Sequence, residues 1–233
     1  MNKKVIFTLS FLPLLALATD QNQTSLKGSD LISTDVGAIY TYVITDSKDS
    51  SKTVNDYQLI VKGCNKDKTE CIYQTKPFSN DESYSGETEM MYEIKDGAVY
   101  SRTLQYMGTD NKLHQVSEKP ELILPKEIIL NKPKEIKSSN DMYEVEGAVV
   151  YTKLLPEITI NGNTYKDCVR SESKSLQRNK KLFSDSNENY FEGYGIDCKG
   201  VGSVLTTFSN SNPKTGKYYQ KDVMISLSKI SKV

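Results

Sequence analysis

Tryptophan is missing from this chain, and histidine occurs once, at His114. The first absence removes the indole platforms that glycan-active enzymes typically offer to sugar rings. The second leaves a Ser or Cys nucleophile a single possible base, and leaves metal catalysis short of imidazole ligands. His114 lies in the polar run "NKLHQVS" with no G-x-S-x-G elbow elsewhere, so it reads as a surface side chain. Nor does one sign of charge dominate. Setting aside Lys3 and Lys4 of the N-terminal segment leaves 28 basic against 30 acidic residues, with both signs interspersed. That balance gives no electrostatic footprint for nucleic acid or anionic lipid.

Phosphate-binding loops are absent too. Gly195 and Gly200 have the spacing of a P-loop, but Val201 and Gly202 stand where Lys and Ser or Thr are needed. No G-x-G-x-x-G register fits, so no cofactor is expected. Carboxylate pairs for glycoside hydrolysis exist at Glu87 and Glu89, Glu144 and Glu146, and Glu188 and Glu192. Strand alternation puts the first two pairs on one solvated face each. The acidic stretch "DSNENYFEG" lacks the glycine and terminal glutamate spacing of a calcium loop and reads as solvated. No metal site is expected.

What is present begins with "MNKKVIFTLSFLPLLALA", two lysines ahead of an apolar run from Val5 to Ala18. The run is short for a membrane span and ends on small residues, so residues 1–18 read as a secretory signal peptide. Residues 19–35 carry little apolar content and read as a flexible leader. The expected location is periplasmic or secreted, without membrane insertion after cleavage.

Four cysteines, Cys64, Cys71, Cys168 and Cys198, follow the signal. Six residues separate the first two and 29 the last two, unlike the paired C-x-x-C of zinc sites. An exported chain with an even count pairs them. Cys64 and Cys71 flank "NKDKTE" between two strand-like runs, which predicts a bond across a hairpin. Cys168 and Cys198 then form the second bond, closing the polar stretch "SESKSLQRNKKLFSDSNEN", which reads as floppy without it.

From Val36 onward short alternating runs recur every 8 to 12 residues or so, with little helical periodicity. Asp96-Gly97 and Asn161-Gly162 are two-residue hairpin turns between β-rich arms. In the closing run "DVMISLSKI", Val223, Ile225 and Leu227 share one side. Pro120, Pro125 and Pro133 interrupt residues 118–137, which must run extended at a sheet edge or cross between two halves. The fold class is all-β: an antiparallel meander, disulfide-stapled, forming a sandwich or a curved open barrel. Residues 36–233 form one β-rich domain, or two halves joined by the proline-rich crossover.

The segments "ELILPKEI", "VEGAVVYTKLLPEITINGNTYKDCVR" and "YFEGYGIDCKGVGSVLTTF" resemble, in order and turn pattern, uncharacterised bacterial exported β-rich proteins. Gly37, Tyr40 and Tyr42 match an aromatic opening strand of that class, with tyrosine in place of tryptophan. A more distant likeness is to the half-barrels of periplasmic lipoprotein carriers, which implies an apolar groove. Such a groove would be lined here by Tyr40, Tyr42, Tyr92, Tyr100 and Leu104; the same residues also fit an ordinary core. The expected function is a non-enzymatic binding or interaction module of the cell envelope, its partner an unknown protein or apolar ligand. The alternative is a periplasmic carrier of a lipid or other apolar ligand, with a hydrolase a distant third.

Overall fold

The computed structural model describes residues 25–46, 49–77, 87–107, 112–116, 119–139, 143–180 and 188–233. The proposed signal peptide and residues 19–24 of the leader lie outside them. Thirteen strands follow in chain order. The first group is β1 (Ala38–Asp46), β2 (Asp49–Cys64), β3 (Glu70–Pro77), β4 (Thr88–Lys95), β5 (Ala98–Met107) and β6 (Leu113–Gln115). The proline-rich crossover contributes β7 (Glu121–Leu124) and the start of β8 (Pro133–Ser139). The second group continues with β9 (Tyr143–Ile160), β10 (Asn163–Asn179), β11 (Glu188–Cys198), β12 (Gly202–Ser211) and β13 (Tyr218–Lys232).

They form a single open antiparallel sheet in the order β6-β5-β4-β3-β2-β1-β13-β12-β11-β10-β9-β8, with β7 beside β5. Of the two architectures the sequence allows, the strand order gives one sheet that does not close. Each half is a run of hairpins, because short polar turns between alternating runs favour pairing of neighbours. Asp96 and Asn161 take the left-handed backbone, at φ 53° and 50°, that their two-residue turns demand. The halves meet where the first strand pairs with the last, from Ala38 opposite Lys232 to Thr45 opposite Met224. The crossover carries the chain from β7, beside β5, to β8 at the far edge.

Alternation supplies the core. Tyr40, Tyr42, Val61, Tyr73, Val204 and Leu227 are buried in one cluster with Cys168 and Cys198. A smaller cluster packs Leu31, Tyr151 and Val169 against Leu26, Leu124, Ile128 and Leu130. Leu31 belongs to a short 3-10 helix, Gly28–Leu31, and is only 1% exposed. The second half of the leader is therefore a packed element, not a tether: one leucine inserts, and backbone bonds hold the segment. Gly28 N–H donates to Pro125 O at 3.0 Å, Ile128 N–H to Leu26 O at 2.8 Å, and Gly200 N–H to Asp30 O at 2.7 Å.

Both disulfides have the expected partners, Cys64 with Cys71 and Cys168 with Cys198. Each joins residues directly opposite on neighbouring strands. The stretch enclosed by the second bond is not a loop for most of its length. Ser171–Asn179 is strand, paired with β9 on one side and largely with β11 on the other. Its polar side chains hid this, since a strand whose ladder is complete on both edges needs no apolar alternation to be held.

Candidate functional site

The tyrosines expected to line a groove divide by depth. Tyr40 and Tyr42 are buried at 3% and 4% exposure, inside the main cluster, and Tyr92 packs against it. Tyr42 stacks on Tyr57 with ring centres 4.9 Å apart and donates its hydroxyl to Ser203 O at 2.9 Å. Tyr73 lies against Tyr92 and donates to Ser33 O in the former leader. Burial pushes the phenols up, Tyr57 and Tyr151 to about 12, and they remain neutral at any physiological pH. Tyr100 and Leu104 lie half-buried on β5. His114 on β6 stacks on Tyr106 of β5, 5.3 Å between ring centres, at an edge of the sheet.

Two concavities open on β8–β11, away from those tyrosines. The larger, about 560 Å³, is lined by Pro133, Glu135, Lys137, Glu146, Lys174 and Tyr190, among others. The smaller, about 270 Å³, adds Glu121, Ser139, Glu144 and Arg178. The strand register explains why these residues meet. Residues directly opposite in a sheet share a face, so three rungs cross the four strands. Glu135, Ala148, Lys174 and Glu192 form one; Lys137, Glu146, Leu176 and Tyr190 the next; Ser139, Glu144, Arg178 and Glu188 the third. The opposite face of the same strands carries Val149, Tyr151 and Val169 into the core.

The exposed face is thus a checkerboard. β9 presents Glu144 and Glu146, β10 presents Lys174 and Arg178, and β11 presents Glu188 and Glu192. Arg178 reaches Glu146 at 2.7 Å and Glu188 at 3.4 Å, and Lys180 lies 3.5 Å from Glu144. Arg178 holds the Glu146 carboxyl below its ordinary range. Of the carboxylates considered for glycoside hydrolysis, Glu144, Glu146 and Glu188 are in this way paired with basic neighbours on this face, while Glu89 lies on β4 in the other half. Beyond the first rung, the Arg170 guanidinium lies 4.3 Å from the centre of the Tyr194 ring.

Gly147 and Gly193 shape this region. A Cβ at Gly147 would stand 2.2 Å from Lys174 O, and one at Gly193 would stand 1.9 Å from Thr207 O. Adjacent strands approach so closely there that only glycine fits, and such positions allow a sheet to bend. The sequence offered a partial signal for this face: "YEVEG" and "SESKS" alternate charge with small or apolar residues. Which strands lie side by side was not readable from it. Asp197 was not singled out by sequence, yet it is the carboxyl that burial disturbs visibly, raising it to about 6. It lies opposite Val169 and Ser203, beside the tyrosine cluster.

Among the described residues no group of three or more His, Cys, Asp or Glu is placed to hold a metal ion, and no helix is long and apolar enough to cross a membrane. No family model matches the sequence, and no curated protein does. Two solved structures are similar in fold. A candidate lipoprotein from Parabacteroides distasonis ATCC 8503 is 13% identical over 86% of this chain and 98% of its own, with a TM-score of 0.57. A candidate exported protein with YmcC-like fold from Bacteroides fragilis NCTC 9343 is 10% identical over 89% of this chain and all of its own, with a TM-score of 0.50. These likenesses agree with the resemblance to exported β-rich proteins and, at such identity, concern the fold.

Proposed function

We propose that this chain is an exported, non-enzymatic interaction module of the bacterial cell envelope, which meets its partner through the charged face of β8–β11. The observation that carries the reading is the checkerboard itself: a broad, solvated face of alternating charge, with Tyr190 and Leu176 set among the ions. Alternating charge with interspersed aromatic rings suits recognition of another protein by complementary potential, which gives selectivity and speeds encounter. Two disulfides favour an oxidising compartment, and both similar structures are described as a candidate lipoprotein or exported protein. On this face the carboxylates of Glu144, Glu146 and Glu188 are ion-paired with Arg178 or Lys180, and His114, on β6, lies at the opposite edge of the sheet.

Photo-crosslinking in the native host tests this. A crosslinkable residue replaces Lys174 or Tyr190, with Lys62 on β2 as the control position. One discrete protein adduct in the envelope fraction, formed from the face and not from the control, supports the reading. Absence of the protein from that fraction overturns it, as does a co-purifying apolar ligand with no protein adduct.

A further inference from the structure

Among the described residues, β8 is an edge of the sheet. It pairs with β9 along its whole length, from Pro133 opposite Val150 to Ser139 opposite Glu144. Among the described residues, its other flank has no backbone partner. Unpaired N–H and C=O groups in a row form a template for a further strand. Lys134 and Ser138 turn to one face, where the ammonium meets the carbonyls of Leu122 and Ile123 and the hydroxyl meets Glu121. Pro133, Glu135, Lys137 and Ser139 turn to the other face and are exposed.

Charges on an edge strand usually discourage pairing. On β8 the two signs sit two residues apart, and the consequence is reversed for one partner. In an antiparallel pair of β8 strands with the two-fold axis at Ile136, Glu135 of each copy faces Lys137 of the other. Sliding by one step of the same face sets Glu135 against Glu135 or Lys137 against Lys137, and like charges directly opposite destabilise a pair. A slip that exchanges the faces would bring the inward Lys134 and Ser138 outward. An in-register parallel pair again opposes like to like. The edge therefore specifies one register and one orientation, both satisfied by itself.

We infer that β8 is a self-recognition edge, through which two copies of this chain join into one continuous sheet by antiparallel β8 pairing centred on Ile136. The contact is isologous, as a two-fold dimer requires. The side chains of Glu135 and Lys137 are 80% and 76% exposed and only 3.5 Å apart within the strand, so exchanging partners moves no core residue. The dimer extends the checkerboard across the axis and presents two copies of the charged face together. This goes beyond the proposed function, since the edge pairs in purified protein whatever the envelope partner is.

Sedimentation of the mature chain with both disulfides intact tests it through mass alone. A contact of seven residues per strand is small, so the mass should rise from monomer toward dimer at protein concentrations of about 10 μM to 1 mM. E135K should weaken the dimer about tenfold, because two attractive cross-strand pairs become repulsive, and K137E should do the same. The double variant E135K/K137E restores opposite charges in the same register and should return to within about threefold of the original affinity. Unchanged circular dichroism and melting would show that the single variants fold. A monomer at every concentration up to about 1 mM overturns the inference. So does a dimer indifferent to E135K, or a double variant no stronger than the singles.

Discussion

Asp197 is held between β10 and β12, and burial, the dominant cause, raises its carboxyl to about 6. In the unfolded chain an aspartate titrates near 3.9, so between those values the native state holds the extra proton. The stability this group contributes is fully present below about pH 4 and is lost as pH rises through about 6. D197N mimics the protonated form and should gain on the native sequence across that window, by about 2 kcal/mol at neutral pH once partial exposure is discounted. Urea unfolding of both proteins at pH 4 and pH 7 checks the sign; a constant difference would show that the carboxyl is not disturbed. Tyr42 makes a second residue-scale case. Removing its hydroxyl leaves Ser203 O without this donor, so Y42F should cost about 1–2 kcal/mol in the same experiment.

At the scale of the element, the close approach of β9–β12 leaves places where a methyl group has no room. G193A forces a Cβ into Thr207 O and the β12 backbone, which cannot give way as a flexible side chain would. A loss of about 3 kcal/mol or more is expected, in the range of severe packing defects. Gly63 on β2 is the control, since nothing lies within 4 Å of a Cβ there, and G63A should change stability by less than about 0.5 kcal/mol. Comparable changes at both positions would show that the contact with Thr207 O is not what G193A costs.

For the whole molecule, the disulfides act through the unfolded chain. The Cys168–Cys198 bond spans 30 residues of sequence, and its loss should cost about 3.7 kcal/mol on the loop-entropy model, against about 2.5 for Cys64–Cys71. C168S paired with C198S should therefore lower the melting temperature more than C64S paired with C71S. The reverse order would show that strain or local packing outweighs loop length. The comparison is clean because both bonds join directly opposed residues of neighbouring strands.

The local level of this structure was legible in the sequence by itself. Asp96-Gly97 and Asn161-Gly162 announced their hairpins, the cysteines their neighbours, and the prolines of 118–137 an extended path between two sets of strands. Turn chemistry and period-two alternation act over a few residues, so a few residues suffice to read them. Tertiary structure alone decided that β1 pairs with β13, that Leu31 leaves the polar leader to fill the second cluster, and that Tyr40 and Tyr42 lie in the core. It also decided that Glu146, Arg178 and Glu188 meet on one face. Those facts depend on which strands become neighbours, and pairing between distant segments is set by the closure of the whole sheet, a global balance that no short pattern encodes.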